Sequence, residues 1–322
     1  MTSPRELSHG RRRTRDYPLP RRGARRDELT EQLAPRDIRH AVYGGELTHL
    51  SYSLYGPSDQ DDDVSRVHTL LQALTLGTDR VISHLTAASF HGMTDEVITT
   101  PFHLTSPRLA ARVKRPGLVV GHRSDIPDDD VHSFRGLPLT SPTRTWSDVA
   151  TTSTFLDALV ITDAVIRSGR EEFGEPEQPL ATKEELAGAL TRRGPARGVR
   201  TAWRALELSR DGSDSAQETR LRHLMHEAGL PEPEVNTWIR DAFGNGVVQS
   251  DLSLREHRIS IQYEGLEFHS SPEQMLKDVR RAELTEALGW VEVRITKEHM
   301  RDGGRHAVEK IRRALRRRGW RG

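Results

Sequence analysis

Two carboxylates and one amide fall in a pattern that could bind a divalent cation. Asp251 belongs to one predicted strand, over residues 250–254, and Gln262 and Glu264 belong to the next, over residues 258–265. Side chains alternate between the two faces of a strand, so these three polar groups can share one face while the neighbouring apolar residues occupy the other. Carboxylates that lie close together repel each other unless a cation or another partner neutralises them. Their oxygens, with an amide oxygen, suit Mg²⁺ or Mn²⁺, and we therefore expect a metal site.

The helix that precedes these strands offers a further acid. Glu218 stands three residues after Ser215, which is the spacing of a capping box, so its carboxylate could simply cap the helix. It also lies one turn before Leu221 on the apolar stripe of this helix, and from there it can face the sheet. Both interpretations of Glu218 stay open from the sequence.

The elements around these residues follow a definite order over residues 211–322: helix, three strands, helix, strand, helix. Gly229 ends the first helix, and the pair Asn245-Gly246 predicts a tight hairpin turn. The second helix begins at Pro272 and ends before Gly289. A strand at 290–295 and a basic helix from about residue 305 close the chain.

This order and its motifs resemble the Vsr-like (very-short-patch-repair endonuclease-like) family of the PD-(D/E)XK nuclease superfamily, over residues 213–320. The residues that carry the resemblance are Ser215-x-x-Glu218-x-Arg220-Leu221-Arg222, the Asp251 strand, Ile261-Gln262-Tyr263-Glu264-Gly265, His269, Asp278-x-x-Arg281, and Gly289-Trp290 before Arg294.

The resemblance implies a restriction-endonuclease-like core that hydrolyses phosphodiester bonds with Mg²⁺ or Mn²⁺. Its implied catalytic residues are Glu218, Asp251, Gln262, Glu264 and His269, of which Asp251, Gln262 and Glu264 would ligate the metal. The chain departs from the family pattern twice, because Gln262 stands where a carboxylate is usual and Glu264 where a lysine is usual.

Basic residues on the following helix could assist at the same site. By the resemblance, Lys277 or Arg281 would reach a phosphate of the nucleic acid. Asp278 and Arg281 could instead form an ion pair on the surface of the helix, which would contribute little to stability.

The N-terminal part predicts a winged helix-turn-helix over residues 27–62. Two short helices, the second opening at Pro35, precede a hairpin between residues 47 and 55. In such a module the second helix enters the major groove of DNA. The exposed residues for that contact would be Arg36, Arg39 and His40. The alternative is a small helical cap without DNA contact.

Residues 63–210 predict a mixed α/β middle region. The motifs Ser-His-Leu-Thr-Ala-Ala at 83–88 and Thr-Ser-Pro-Thr-Arg-Thr at 140–145 resemble AbiEi-type antitoxin proteins of actinobacteria. The predicted organisation is a basic tail (1–26), a winged helix-turn-helix (27–62), the AbiEi-like region (63–210) and the nuclease-like domain (211–322).

Composition limits the classes of protein further. The 322 residues contain no cysteine, which excludes disulfides, thiolate metal sites and a cysteine nucleophile. No apolar run has the length of a membrane span, so we expect a cytoplasmic protein without membrane contact. Residues 1–30 carry nine Arg against four acids, and residues 301–322 carry nine Lys or Arg against two. Basic ends favour a polyanion such as DNA, although a solvated tail and helix would have the same composition.

Two functions of different classes follow. The first is a DNA-binding, metal-dependent endonuclease, and whether the chain is an enzyme stays open because of Gln262 and the missing lysine. The second is a regulator of the AbiEi-type antitoxin class that binds DNA through a catalytically degenerate fold. A second copy of the chain or a toxin protein is a further expected partner, and an antitoxin that binds protein alone fits the basic ends less well.

Overall fold

A computed structural model describes residues 19–58, 62–169, 178–264 and 272–322. Most of the predicted basic tail therefore lies outside the described residues. The chain divides into two compact units. The first takes in residues up to 82 with 99–126 and 131–139, and the second comprises 83–98, 127–130 and 140–322. The predicted mixed α/β class is confirmed; the finer fold families, like the four-part division, stay predictions.

The first unit opens with two short helices and a small antiparallel sheet of strand order β1-β3-β2. Pro35 at the first turn starts the second helix, where its missing N–H costs no hydrogen bond. Ile38 and Ala41 of that helix are buried with Leu29 and Leu47 in a small apolar core. The elements are β1 (Ala24–Arg25), α1 (Arg26–Gln32), α2 (Pro35–Tyr43), β2 (Leu47–Ser51) and β3 (Leu54–Pro57).

The remainder of the first unit is a helix and a five-stranded mixed sheet of strand order β6-β5-β4-β8-β7. Phe102, Leu104, Leu137 and Leu139 are fully buried on this sheet. The elements are α3 (Asp63–Thr75), β4 (Val81–Ile82), β5 (Phe102–Ser106), β6 (Val119–Arg123), β7 (Val131–Phe134) and β8 (Leu137–Thr140).

The second unit begins with five helices that pack around Trp146. The Trp146 indole is fully buried, and its N–H donates to the Thr162 hydroxyl at 2.9 Å, which satisfies the polar atom of this large side chain. The helices are α4 (His84–Phe90), α5 (Pro142–Ala150), α6 (Phe155–Ile166), α7 (Lys183–Arg193) and α8 (Val199–Leu208).

The second unit ends with a four-stranded sheet of order β12-β11-β10-β9. Strands β11 and β12 are parallel, and the other pairs are antiparallel. The elements are α9 (Ala216–Glu227), β9 (Glu234–Arg240), β10 (Gly246–Leu254), β11 (Ile259–Glu264), α10 (Pro272–Ala287), β12 (Val291–Thr296) and α11 (Arg305–Arg317). This is the order of elements that the sequence predicts for residues 211–322.

The apolar face of this sheet forms a core with α9 and α11. Leu252, Ile261 and Val293 from three neighbouring strands are buried against Leu221 and Ile311 of the two helices. The alternation that buries these residues turns the intervening polar residues of β11 toward the opposite face. The described residues include no helix that is both long and apolar enough to cross a membrane.

Candidate functional site

A cavity of about 450 Å³ lies beside the C-terminal sheet. Its walls come from α9, from strands β9, β10 and β11, and from α10. The predicted site residues Glu218, Asp251, Gln262 and Arg281 all line it. Residues separated by up to 63 positions in the chain thus meet in one polar cavity.

Glu218 enters the cavity from the first turn of α9. Its backbone N–H donates to the Ser215 hydroxyl at 3.2 Å, so Ser215 caps the helix. Its carboxylate accepts hydrogen bonds from the Ser215 hydroxyl at 2.9 Å, the Asp214 backbone N–H at 3.0 Å and the Asn236 amide at 2.7 Å. Burial raises the pKa of Glu218 to about 7, and the negative charge of Asp251 adds to the rise.

Asp251 lies in β10, where the pairing between β10 and β11 stops. The last paired residues are Leu252 and Ile261, and beyond them Asp251 Oδ2 accepts the backbone N–H of Tyr263 at 2.7 Å. The Asp251 carboxylate therefore accepts a backbone N–H of β11 beyond the last paired residues of the β10–β11 ladder. This hydrogen bond fixes the position of Asp251 beside Glu218. The charges of Asp251 and Glu218 interact, because the Asp251 carboxylate contributes to the raised pKa of Glu218.

Gln262 forms the neighbouring part of the cavity wall. Only 5% of its surface is exposed, and its amide nitrogen donates to the Gln249 carbonyl at 2.8 Å. This bond leaves the amide oxygen as the atom with which Gln262 could contact a cation. Together with the two carboxylates it gives a donor set composed of oxygen, which suits a hard divalent cation.

Glu264, two residues further along β11, does not line the cavity. Its carboxylate lies 3.5 Å from the guanidinium of Arg294 on the neighbouring strand β12. Arg294 also contacts Glu292, so Glu264 of β11 joins a charged cluster with these two residues of β12. Sharing a face with Gln262 therefore does not bring Glu264 to the same cavity.

Arg281 lines the cavity from α10 and makes two ion pairs. Its guanidinium lies 3.3 Å from Asp278 and 3.5 Å from Glu292. The surface ion pair with Asp278 that the sequence allows is thus present, and it does not remove Arg281 from the cavity. Arg280, which the sequence analysis overlooked, is exposed and also lines it.

Two other predicted residues lie wholly or partly outside the described structure. His269 lies outside the described residues, and Lys277 belongs to α10 but its side chain is outside what the structure describes. Arg36, Arg39 and His40 are exposed on α2 in the first unit.

Asn236 and Trp238 of β9 are cavity residues that the sequence analysis missed. Asn236 bonds both the Glu218 carboxylate and, at 2.7 Å, the Gly212 carbonyl. An asparagine within a predicted strand is uncommon, and this was the sequence signal that could have pointed to Asn236. Its connection to Glu218 depends on tertiary packing.

The family that matches this chain covers residues that precede the cavity. The family described as AbiEi antitoxin C-terminal domain matches residues 81–173. Two uncharacterized proteins of Mycobacterium tuberculosis, MT2308 of strain CDC 1551 / Oshkosh and Rv2248 of strain ATCC 25618 / H37Rv, are each 27% identical over 260 residues, which are 81% of this chain and 89% of theirs.

A solved structure, the RV2827C protein from Mycobacterium tuberculosis, is similar to 58% of this chain and 71% of its own, at 16% identity and a TM-score of 0.39. The matched AbiEi range ends at residue 173, so the cavity around Glu218 lies outside it.

Proposed function

We propose that this protein is a DNA-binding regulator of the AbiEi antitoxin class. The match of residues 81–173 to the AbiEi antitoxin C-terminal domain carries this proposal. A regulator needs an element that contacts DNA, and the two-helix and hairpin module at residues 24–57 precedes the matched range in the chain.

The second helix of that module has the chemistry for DNA contact. Ile38 and Ala41 hold α2 against the small core, while Arg36, Arg39 and His40 remain exposed. The Arg36 side chain is 70% exposed and lies 3.7 Å from Asp37, a surface pair that a phosphate can replace at little cost. In a winged helix this helix would enter the major groove while the β2–β3 hairpin would approach the DNA backbone.

A selection experiment tests the proposal. The full chain is incubated with a pool of random duplex DNA, and the bound DNA is sequenced after repeated rounds. We expect a recurrent motif for the wild type and its loss in Arg36→Ala/Arg39→Ala. Arg66→Ala, which removes an exposed arginine from α3, is the control and should retain the motif. Enrichment that is equal in all three proteins would contradict the assignment to α2.

We propose as a second function a metal-dependent phosphodiester hydrolysis at the C-terminal cavity. One observation favours it: Glu218, Asp251 and Gln262, each with a side-chain oxygen, line one cavity with Arg281. This donor set fits Mg²⁺ or Mn²⁺, which when bound would polarise a phosphate and lower the pKa of a bound water. Asp251 and Glu218 would hold the cation, Gln262 would complete the oxygen set, and Arg280 or Arg281 would bind the phosphate charge.

Two variants on neighbouring strands separate this function from the first. Supercoiled plasmid is incubated with the protein and either Mg²⁺ or Mn²⁺, and nicking is followed over time. Asp251→Ala should abolish nicking because it removes a ligand from the cavity. Glu264→Ala should retain it, because Glu264 pairs with Arg294 outside the cavity. A wild type that binds DNA without nicking under either metal would leave the regulator as the sole function.

A further inference from the structure

The hairpin of β9 and β10 extends beyond the cavity and ends in an exposed aromatic ring. Its apex comprises residues 241–245, and Phe243 at the apex is 91% exposed. A single exposed apolar side chain is common on protein surfaces and is not by itself a site. The surroundings of Phe243 distinguish it from such a residue.

The apex is held rigidly by the carboxylate of Asp241. It accepts the backbone N–H groups of Phe243 and Asn245, each at 2.9 Å, and the Asn245 amide at 3.0 Å. The Arg240 guanidinium donates to the Gly244 carbonyl at 2.8 Å, and Gly244 has φ of +87°, a conformation that favours glycine. The Phe243 ring is thus presented by an ordered loop. Binding of a ligand to the ring therefore costs little conformational entropy of the loop.

A second ring connects this apex to the cavity. Trp238 lines the cavity and packs over Gly246, because a Cβ at Gly246 would lie 2.9 Å from the Trp238 indole. At about 3.3 Å per residue, the six residues from Phe243 to Gln249 in the cavity wall span on the order of 20 Å. Arg240 and Arg280 are exposed; Arg240 follows Trp238 by two residues in β9, and Arg280 lines the cavity.

Aromatic rings interleaved with arginines match the chemistry of a single-stranded nucleic acid. Such strands bind through bases that stack on aromatic side chains and phosphates that contact cations. Asp241 is the acid of the apex, and its carboxylate is engaged by the three N–H donors described above. These hydrogen bonds keep the carboxylate ionised, so the phosphates of a strand would be held by Arg240 next to the apex and by Arg280 in the cavity wall.

We propose that Phe243 stacks on an unpaired base of a nucleic acid strand whose backbone follows the β9–β10 hairpin toward the cavity. This inference rests on the proposed nucleic-acid binding. It adds a second contact in the C-terminal sheet that is independent of α2.

The test uses two substitutions at the same position of the full chain. Binding of a fluorescent single-stranded 12-mer is measured by anisotropy for the wild type, Phe243→Leu and Phe243→Trp. Phe243→Leu keeps an apolar side chain without a ring and should weaken binding about tenfold, within the range for loss of one stacked base. Phe243→Trp keeps the ring and should bind within about twofold of the wild type, since every aromatic ring offers a face for stacking.

Two controls keep the result interpretable. Leu109→Ala removes another fully exposed apolar side chain, in the first unit, and should leave binding unchanged. Thermal unfolding should be the same for all of these proteins, because neither side chain contributes buried surface.

Each outcome decides the proposal. Equal affinity of Phe243→Leu and the wild type would overturn it, while DNA selection through α2 could still succeed and would leave the regulator in place. A wild type that binds no nucleic acid in either experiment would overturn both proposals. Loss in Phe243→Leu of binding to a protein partner, with strand binding unchanged, would assign the apex to that partner instead.

Discussion

At the scale of single residues, Glu218 occupies the capping-box position of α9 and also lines the cavity. Its backbone is capped by Ser215, and its carboxylate bonds the same hydroxyl while lining the cavity. A capping position and a cavity position coincide because the first turn of α9 begins at the edge of the sheet. The two roles are therefore not exclusive, and a helix cap can place an acid in a site.

The raised pKa of Glu218 predicts how stability depends on pH. The unfolded chain ionises Glu218 near its ordinary pKa of 4.5, whereas the folded chain holds the proton until about pH 7. The stabilising contribution is therefore complete below pH 4.5 and lost as pH rises through 7. The free energy of unfolding of the wild type, relative to that of Glu218→Gln, should therefore fall by up to about 3 kcal/mol between pH 4.5 and 8.

Urea unfolding followed by circular dichroism at pH 5, 6, 7 and 8 measures this difference. Glu264→Gln is the matched control, because its ion pair with Arg294 is partly exposed and its substitution should not reproduce that trend. A pH dependence of Glu218→Gln that parallels the wild type would show that Glu218 is not the group that titrates.

Sequence periodicity predicted part of this site and could not predict the rest. Asp251 and Gln262 follow from alternation within a strand, and Glu218 follows from the helical stripe. Glu264 has the same parity as Gln262, but its carboxylate pairs with Arg294, which the register of β12 places opposite Gln262. Asn236 bonds Glu218 across 18 residues of chain, and such tertiary contacts have no local pattern in the sequence.

At the scale of elements, a buried ion pair fixes α9 to the helices before it. Arg222 of α9 lies 2.9 Å from Asp163 of α6, with side-chain exposures of 2% and 1%. Asp163 also accepts the Thr219 hydroxyl and the backbone N–H of Arg210. This network fixes the turn of α9 that follows Glu218.

Either single substitution of this pair should be strongly destabilising. Arg222→Ala leaves the Asp163 carboxylate buried without its cation, and Asp163→Ala leaves Arg222 with only Glu232, at 3.4 Å; each should cost about 3 to 5 kcal/mol. The double variant Asp163→Leu/Arg222→Met should lose less stability than the sum of the two single variants, since no unpaired charge remains. Urea midpoints measure all three variants, and strict additivity would contradict coupling between the two residues.

A glycine at the start of α8 makes a different prediction. Gly198 has φ of +80°, and a Cβ there would lie 1.8 Å from the backbone oxygen of Thr151. The clash is with main chain, which cannot rotate away, so Gly198→Ala should cost more than the 1–2 kcal/mol of a left-handed conformation alone. Gly303→Ala has φ of +73° and open space around it, so it isolates that smaller cost. Equal melting temperatures of the two variants would contradict the steric account.

The limits of most helices could be predicted because their signals are local. Ser141 with Pro142, and Thr182 with Glu185, mark the starts of α5 and α7 through side-chain hydrogen bonds to the first turn. The strand order β6-β5-β4-β8-β7 could not be predicted, because it depends on pairing between segments up to about 60 residues apart.

At the scale of the whole molecule, the charge distribution and the AbiEi match favour contact with DNA over a purely structural role. The described basic residues of α2 lie in the first unit, and those of the hairpin and α10 lie in the second. The division into two units interrupts the chain at several points, which no composition change in the sequence marks. The chain can leave one unit and later return to it, because contacts, and not chain order, define a compact unit.

The central claim, that the protein binds DNA through α2, is tested most directly by the salt dependence of its affinity. The dissociation constant for a DNA duplex is measured by anisotropy from 50 to 300 mM salt for wild type and Arg36→Ala/Arg39→Ala. Each phosphate contact contributes about 0.9 to the slope of log affinity against log salt. We predict a slope smaller by about 1 to 2 in the double variant. An unchanged slope and unchanged affinity would contradict the account.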